Sequence, residues 1–447
     1  MNKIIASVGL VALGAANVQA QNAMTGPAAK WWNVSATVRG FYDDNINTVQ
    51  DPGPHDHVFG FEVKPKIGVT WSDDQTIVTA DYAYSFLQYD KRPAGNTHKY
   101  DQDHTFNAAI THAFSERYSI QAHDSFVIGQ EPDALRHDAA FHTPFRVAGD
   151  NIVNNGGFLF TAEMTRLLGL EIGYDNAFYD YHDAFAVNKN TFTVFDPVLD
   201  ENVTMVGPAS LSGMLDRDES TPRIALTWQA LPDTTVRAGY RYSMIKYTGY
   251  EVIGGPKAEA PRAPGTVISS DRNVNSHTIF LGLDHKFNPN FYGSVEAGGS
   301  YYDYYRINET SWGPYARLSL TDMYMPESSV TVGFQESRSP SDQLGLPTSK
   351  TDIVRDQETS TLFANVRQRI MPKFFANLNG SFQNGTFKGG TLNDVSERFY
   401  EFGANLEYVF NPHISAMVGY DFDRLDSEIP HRSYTRNKFY IGATASY

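Results

Sequence analysis

Apolar and polar residues alternate at every second position along most of the chain from Trp31 to Tyr447. The clearest run, Phe61–Trp71, divides into an apolar face of Phe61, Val63, Pro65, Ile67, Val69 and Trp71 and a second face of Glu62, Lys64, Lys66, Gly68 and Thr70. A period of two predicts a β-strand with two unlike faces. The charged face must meet water because burying unpaired charges is costly. The apolar face is long enough for a tilted strand to cross a bilayer.

The same alternation recurs in residues 32–39, 222–229, 236–243, 376–383 and 400–410, and no stretch of similar quality has helical spacing. Eight short turns are predicted at Ser72–Gln75, Ser115–Arg117, Thr165–Leu168, Leu231–Thr234, Asn288–Asn290, Met325–Ser328, Met371–Lys373 and Asn411–Pro412. Nine longer polar segments separate them: Asp43–Val58, Asp90–Asp103, Glu131–Asp150, His182–Asp218, Gly249–Asn275, Asp303–Trp312, Arg338–Arg355, Gly385–Val395 and Arg424–Thr435. Short turns at one end and long loops at the other are typical of bacterial outer-membrane barrels. The sequence therefore predicts an all-β fold, an up-and-down antiparallel transmembrane β-barrel of about 18 strands (16–18).

The first residues form a separate, apolar segment. Ile4–Val18 follows Lys3 and ends in the small-residue sequence Val18-Gln19-Ala20. This pattern predicts a secretory signal peptide over residues 1–20, cleaved before Gln21. Residues 21–30 are then a short periplasmic segment, and residues 31–447 form the barrel.

Composition narrows the class of protein further. Mean hydropathy is −0.39 although 13% of the residues are aromatic, which does not fit a membrane protein built from helices. The chain has no cysteine, so it forms no disulfide and no thiolate metal site. A net charge of −15 argues against nucleic acid as a partner, since nucleic-acid binding requires clustered positive charge.

The C-terminal strand Phe439–Tyr447 ends on an aromatic residue of its apolar face, which resembles the signature read by the barrel-assembly machinery. Three further passages resemble the putative β-barrel porin type 2 family: Gly40-Phe41-Tyr42-Asp43-Asp44-Asn45, Asp124-Ser125-Phe126-Val127-Ile128-Gly129-Gln130-Glu131-Pro132 and Leu215-Asp216-Arg217. The resemblance implies a barrel in the outer membrane of a diderm bacterium, surrounded by lipid and lipopolysaccharide. It implies no catalytic residue.

The usual enzyme motifs are missing, so the sequence predicts no enzyme, no cofactor and no metal site. Three positions leave alternatives open. His55-Asp56-His57 is either a metal site or a solvated loop. His112 lies on the lipid-facing register, where a hydroxyl neighbour would be needed for a barrel-wall lipid hydrolase. Asp124 also falls on the apolar register, which a bulge, a second subunit or a position at the rim would explain, and the rim is the simplest.

The polar face supplies the candidate functional residues. The pore-lining candidates are Arg39, Glu62, Lys64, Lys66, Glu163, Glu171, Arg223, Arg237, Arg241, Glu296, Arg317, Arg367, Glu401 and Glu407. Opposed rows of charge inside a pore create a transverse field that selects solutes by size and charge. The alternative is that these groups pair with one another and serve only the structure.

Eighteen strands enclose a space too wide for side chains alone to fill, so an aqueous channel is expected unless loops fold inwards. The sequence favours a porin-like channel for the diffusion of small hydrophilic solutes, with sugars or oligosaccharides as candidates. His182–Asp218 is the expected constriction loop. The alternative is a structural or export-associated barrel, for example one linked to exopolysaccharide secretion, and assembly into a homo-oligomer stays open.

Overall fold

The computed structural model describes residues 30–53, 55, 57–91, 98–129, 151–181, 191–196, 201–206, 211–249, 251–254, 266–345 and 349–447. Eighteen strands form one sheet. These strands are β1 (Trp32–Asp43), β2 (Val58–Ser72), β3 (Thr76–Tyr89), β4 (Tyr100–Ala113), β5 (Tyr118–Gly129), β6 (Asn151–Glu163), β7 (Leu168–Tyr181), β10 (Arg217–Leu231), β11 (Thr234–Tyr247), β14 (Val274–Lys286), β15 (Phe291–Tyr304), β16 (Glu309–Met325), β17 (Ser328–Ser339), β18 (Asp356–Met371), β19 (Phe374–Lys388), β20 (Ser396–Asn411), β21 (Ile414–Ser427) and β22 (Tyr434–Ser446). The prediction of an all-β barrel of about 18 strands is confirmed.

Each of these strands pairs antiparallel with the barrel strands before and after it in the chain. Strand β1 also pairs with β22, from Ser35 opposite Ser446 to Asp43 opposite Lys438. This last pairing closes the sheet, so the barrel has no free edge and every strand can satisfy its backbone groups within the wall. The predicted signal peptide and residues 21–29 lie outside the described residues.

In the described parts of the connections there are four shorter strands, one short α-helix and three 3-10 helices at Ser269–Arg272, Lys350–Asp352 and Gly390–Leu392. Strands β8 (Thr191–Asp196) and β9 (Glu201–Val206) form one hairpin, and β12 (Val252–Gly254) and β13 (Val267–Ile268) form another. A helix at Leu211–Leu215 precedes β10. None of the helices in the described ranges is long and apolar enough to cross a membrane.

The connections alternate in length as the sequence predicts. All eight predicted short turns occur, and the shortest of them, at residues 232–233, 326–327, 372–373 and 412–413, contain two residues each. One long loop was wrongly predicted: the Asp303–Trp312 segment contributes only residues 305–308 to a turn, because β15 extends to Tyr304 and β16 starts at Glu309. We call the end with the eight short connections the turn end and the opposite end the loop end.

Most outward side chains along the middle of the strands are apolar and exposed, and Asp124 on β5 and Asn176 on β7 are polar exceptions. Ile279 and Ile441 are each 68% exposed and Leu281 is 66% exposed. A continuous apolar surface of this kind is unfavourable in water and matches the hydrocarbon layer of a bilayer. The buried residues therefore lie on the inner side of the wall.

Buried side chains are concentrated at the loop end of the interior. The twelve largest fully buried side chains all lie there: Arg217, Arg272, Arg436, Tyr89, Tyr304, Tyr434, Phe387, Ile46, Leu215, Ile353, Leu425 and Val58. Four of them come from the loops and the short helix, for example Ile46, which packs against Phe41 and Val58. We call the two parts of the interior the loop half and the turn half of the lumen.

Candidate functional site: the barrel lumen

The strand registers place all fourteen predicted charged residues on the inward-facing positions of the wall. Arg39 lies opposite Glu62, Arg223 opposite Arg241, and Glu296 opposite Arg317. Directly opposite residues in neighbouring strands share a face, so the same registers place the remaining candidates on the inner face as well. This placement brings the residues to one surface, and a role in a conducting pore remains a proposal.

The first group lies on β1, β2 and β3. Arg39 forms a salt bridge with Glu62, and Glu62 also accepts a hydrogen bond from Ser85 Oγ at 2.5 Å. Lys66 Nζ lies 2.8 Å from Asp81 Oδ1. Lys64, which lies between Glu62 and Lys66 along β2, is exposed. The side chains of both lysines therefore stay exposed and face the interior of the turn half.

A second group, which we call the arginine wall, lies on β10, β11 and β16 and consists of Arg223, Arg237, Arg241 and Arg317. Arg237 Nη2 lies 3.0 Å from Asp284 Oδ1 and 3.4 Å from Glu296 Oε1. Arg223 Nε lies 3.8 Å from Asp175 Oδ2. These two arginines therefore have carboxylate partners.

The other two arginines of this wall have none among the described residues. The Arg241 guanidinium lies over two inward aromatic rings, 5.1 Å from the centre of Tyr315 and 5.7 Å from that of Phe280. Arg317 Nε is buried and makes no hydrogen bond in the described part of the chain. Glu296 lies directly opposite Arg317 in the register but makes no salt bridge with it, so neither of these two guanidinium groups is bonded to a carboxylate in the described part of the chain.

The remaining candidates are spread over other strands. Glu401 accepts a hydrogen bond from Ser381 Oγ at 2.8 Å, and the Arg367 guanidinium lies 4.8 Å from the Phe375 ring centre. Three more, at the turn half, are Glu163, Glu171 and Glu407, of which Glu163 is exposed. Some of the predicted charges are thus paired within the described part of the chain, and a role of these residues in selecting solutes stays a prediction.

The loop half contains a charged cluster that sequence reasoning missed. Arg272, between β13 and β14, donates hydrogen bonds at 2.7 Å to the carbonyl oxygens of Met214 and Ser341. Its neighbour Asp271 accepts from Lys350 Nζ at 2.9 Å. Three loops are therefore joined at one point: the one before β10, the one before β14 and the one before β18.

A second connection joins the loop before β22 to the same region. Arg432 Nη2 lies 2.7 Å from Asp342 Oδ1, and Arg432 Nε lies 2.8 Å from Glu397 Oε2. Burial alone would lower the pKa of Arg432, but the carboxylates of Asp342 and Glu397 raise this pKa above its usual value. We call the contacts of Arg272 and Arg432 the loop clasp.

Nearby, Arg436 on β22 holds Asp43 at the end of β1, with Nη2 2.5 Å from Oδ2, and both side chains are fully buried. No periodic signal marks the residues of the clasp, because loops carry no alternation. The one available hint is that arginine and aspartate occur within otherwise polar, uncharged stretches such as Ser339-Pro340-Ser341-Asp342.

The predicted constriction loop His182–Asp218 is described only in part. Its helix places Leu215 inside the barrel against Val153, Tyr179 and Tyr181, and Leu215 is fully buried. Residues 182–190, 197–200 and 207–210 lie outside the described residues. Two further loops, before β14 and before β18, share the interior with this segment, which the sequence did not predict.

The alternative sites can now be located. His55 Nε2 lies 2.6 Å from Asp51, Asp56 lies outside the described residues, and the described ranges contain no group of three or more metal-ligating side chains. His112 Nδ1 is 2.7 Å from Thr76 Oγ1 on the outer wall, and no carboxylate in the described part of the chain is hydrogen-bonded to this ring. A histidine–hydroxyl pair without an orienting group lacks the third member of a hydrolytic site.

The family comparison agrees with the barrel. Residues 357–447 match the family model described as "Putative beta-barrel porin 2". No curated protein is similar enough to count as a relative.

Among solved structures, a BenF-like porin from Pseudomonas fluorescens Pf-5 has a TM-score of 0.45 at 10% identity and covers 93% of this chain and 99% of its own. OccAB4 of Acinetobacter baumannii has a TM-score of 0.42 at 9% identity and covers 94% of this chain and 100% of its own. OccK9 (OpdG) of Pseudomonas aeruginosa has a TM-score of 0.42 at 9% identity, covering 93% and 98%. Similarity at this level transfers no solute to the chain.

The closed barrel, its exposed apolar band and the family match have a common implication for location. Strands that cross a bilayer as a closed barrel occur in outer membranes, where short turns face the periplasm and long loops face outwards. The turn end is then periplasmic and the loop end extracellular. The protein is an outer-membrane β-barrel, and its residues 357–447 match the putative β-barrel porin 2 family that the sequence resembles.

Proposed function

We propose that the protein is a passive channel for small hydrophilic solutes. The observation that carries this proposal is the charged and partly exposed inner surface of the turn half: the side chains of Lys66 and Asp284 are 39% and 36% exposed. A structural barrel without a water-filled interior would bury such groups as pairs, since an unpaired buried charge is unfavourable.

The loop half sets the expected size limit. Three loops and the clasp residues Arg272 and Arg432 occupy the interior there, so a solute must pass between packed side chains rather than through an open cylinder. Narrow polar constrictions pass small solutes and exclude polymers. This favours monosaccharides and short oligosaccharides over long polysaccharide chains.

The arginine wall supports sugars in particular. Arg241 lies over the inward rings of Phe280 and Tyr315, and both rings are buried, so they hold its guanidinium donors in place. The hydroxyl groups of a sugar accept hydrogen bonds from such guanidinium donors. The same surface would bind a neutral sugar weakly enough to release it.

Conductance of the refolded full chain in planar bilayers tests the channel. Discrete openings in KCl that decrease when maltose or a longer oligosaccharide is added would support the proposal. Liposomes that contain the protein should swell faster with a monosaccharide than with a polymer of many sugar units. Silent bilayers and liposomes that do not swell with any sugar would refute passive diffusion.

A second candidate is a structural or export-associated barrel, and the loop clasp is the observation that favours it. A barrel held closed by buried salt bridges such as Arg432–Asp342 would conduct only after a partner opens the loops. Conductance of the unmodified protein and of a clasp variant distinguishes the two functions. If the barrel is normally closed, only the clasp variant conducts. If the barrel is an open channel, both proteins conduct.

A further inference from the structure

Two hairpins of the barrel present nearly the same outward face, one formed by β3 and β4 and the other by β11 and β14. Their first strands carry the same outward side chains in the same order: Thr76, Val78, Ala80, Tyr82 and Tyr84 in β3, and Thr234, Val236, Ala238, Tyr240 and Tyr242 in β11. Their second strands place an outward histidine near each end: His104 and His112 in β4, and His277 and His285 in β14.

The inward faces of the two first strands differ over the same stretch. The inward residues are Ile77, Thr79, Asp81 and Ala83 in β3, and Thr235, Arg237, Gly239 and Arg241 in β11. A lipid-facing wall requires only apolar side chains, whereas the repeated outward positions include threonine, tyrosine and histidine. The repetition therefore indicates that the two outer faces contact the same kind of partner.

Near the loop end, each hairpin holds its first histidine with two tyrosines. Tyr82 Oη lies 2.8 Å from His104 Nδ1, and Tyr240 Oη lies 2.7 Å from His277 Nδ1. The second tyrosine of each strand also meets the histidine, with 5.1 Å between the ring centres in the first hairpin and 5.0 Å in the second. The two sites thus have the same geometry on different walls of the barrel.

Near the turn end, a threonine holds the second histidine of each hairpin. His112 Nδ1 lies 2.7 Å from Thr76 Oγ1, and His285 Nδ1 lies 2.8 Å from Thr234 Oγ1. Each ring also meets edge-on the phenylalanine two residues further along the chain, with 4.6 Å between the ring centres in both hairpins. All four histidines therefore have Nδ1 fixed by a hydroxyl group of the neighbouring strand.

The other ring nitrogen, Nε2, has no hydrogen-bond partner within the described ranges in any of the four histidines, and none of these rings pairs there with a carboxylate. A protonated imidazole donates through both nitrogens, so Nδ1 can keep its hydroxyl partner while Nε2 donates outwards. Hydrocarbon chains offer no acceptor for this N–H group. The ring therefore favours a depth at which the membrane supplies one.

The two histidines of each strand lie near the two edges of the apolar band. They are eight residues apart, and the outward side chains between them are apolar: Phe106, Ala108 and Ile110 in β4, and Ile279, Leu281 and Leu283 in β14. Eight residues span about 26 Å along a strand, or about 20 Å across the membrane at a tilt of about 40°. Because the band of a barrel is about 25 Å tall, the rings reach towards its edges, where the lipid headgroups lie.

We propose that each of these hairpins binds phosphate-bearing membrane lipids along its outer face, one at each edge of the apolar band. A phosphate oxygen accepts the hydrogen bond from histidine Nε2, and a positive charge on the ring strengthens this bond. The acyl chains lie along the apolar side chains between the two rings. An aromatic ring without such a nitrogen would anchor the barrel in the interface but would not select a phosphate.

Binding of a defined lipid to the refolded, delipidated full chain in a mild non-ionic detergent tests this proposal. Dimyristoyl phosphatidylglycerol should remain bound in native mass spectra. Dimyristoylglycerol, which has the same chains and no phosphate, should bind at least about tenfold more weakly. Inorganic phosphate should not compete at the concentrations of the lipid. Equal binding of the two lipids would reduce the site to a contact with acyl chains, and competition by inorganic phosphate would make it a site for a soluble anion, so either result overturns the proposal.

A set of variants tests the histidines themselves. The fourfold variant His104→Phe, His112→Phe, His277→Phe and His285→Phe keeps an aromatic ring at each position but removes Nε2. Its dissociation constant for phosphatidylglycerol should rise about tenfold. The same four positions changed to glutamine keep an N–H donor and should lose less. Folding of each variant is checked by its heat-modifiable mobility.

The hairpin of β19 and β20 offers a matched control, because Tyr400 and Tyr408 are outward and also eight residues apart. Tyr400→Phe with Tyr408→Phe should leave the binding of phosphatidylglycerol unchanged. Unchanged binding in the fourfold phenylalanine variant, or an equal loss in the tyrosine control, would overturn the proposal. Because all these side chains face outwards, the result is independent of whether the lumen conducts.

Discussion

One salt bridge from each half of the lumen shows how burial changes the role of a charged pair. In the loop half, Arg436 and Asp43 are fully buried against each other. In the turn half, Lys66 and Asp81 form a pair at 2.8 Å while the lysine side chain stays 39% exposed. A buried pair fixes the chain segments that carry it, whereas an exposed pair in water contributes little to stability. The Arg436–Asp43 pair therefore fixes two strand ends in the loop half, and the Lys66–Asp81 pair leaves a charged group in contact with water.

The largest effect is expected from opening the clasp. Replacing Arg272 and Arg432 by alanine removes the donors that hold the loops before β10, β14, β18 and β22 together. Single-channel conductance should rise several-fold, because the loop half would then resemble the open turn half. Arg369→Ala is the control, since Arg369 pairs with Glu327 at an exposed turn. Unchanged conductance in a variant that still folds, judged by its heat-modifiable mobility, would place the constriction elsewhere.

The two kinds of salt bridge should differ in stability. Arg436→Ala leaves Asp43 buried without its partner and should lower the free energy of unfolding by about 3–5 kcal/mol. Asp81→Asn removes the exposed pair with Lys66 and should cost about 0–1 kcal/mol. Urea-induced unfolding in lipid vesicles measures both. Equal losses would mean that the two halves are equally packed.

Two inward apolar side chains on one strand test whether the loop half is more tightly packed than the turn half. Leu425 on β21 faces the loop half and is fully buried, whereas Met417 on the same strand faces the turn half and is only half-buried. Leu425→Ala should cost about 2–5 kcal/mol of unfolding free energy because it leaves a cavity. Met417→Ala should cost clearly less, and a larger loss at Met417 would contradict a dense loop half.

The smallest effect concerns ion selectivity. Arg241→Glu reverses a charge that has no carboxylate partner in the described part of the lumen. The reversal potential in a KCl gradient should shift towards cations, with roughly a twofold change in the permeability ratio. Lys373→Glu, at an exposed turn, is the control and should leave the ratio nearly unchanged. If the control shifts the ratio as much as Arg241→Glu, the arginine wall does not lie on the ion path.

The wall of the barrel could be predicted from the sequence because alternation is a local property. The run Phe61–Trp71 appears in the structure as part of β2, with Glu62 and Lys64 inward and Phe61 and Val63 outward. A one-residue error would have placed every side chain on the wrong face. The candidate charges could be assigned to the lumen face for the same reason.

The contacts of the loop half could not be predicted in this way. Arg432 reaches Asp342, 90 positions away in the chain, and nothing in either segment specifies the other. The Asp303–Trp312 error has a similar origin, since Thr310 and Trp312 extend a strand that polar composition alone assigned to a loop. Asp124 was correctly placed on the outer register, but its depth required knowing where β5 ends.

The closing pair of strands has a consequence for biogenesis. Thr37 Oγ1 and Thr444 Oγ1 lie 2.8 Å apart where β1 pairs with β22, although 407 positions separate the two residues in the chain. Joining such distant segments has a high entropic cost unless the intervening hairpins are already in place. Until β22 is synthesised, both ends of the unfinished sheet expose unpaired backbone groups, which are a template for pairing with other chains.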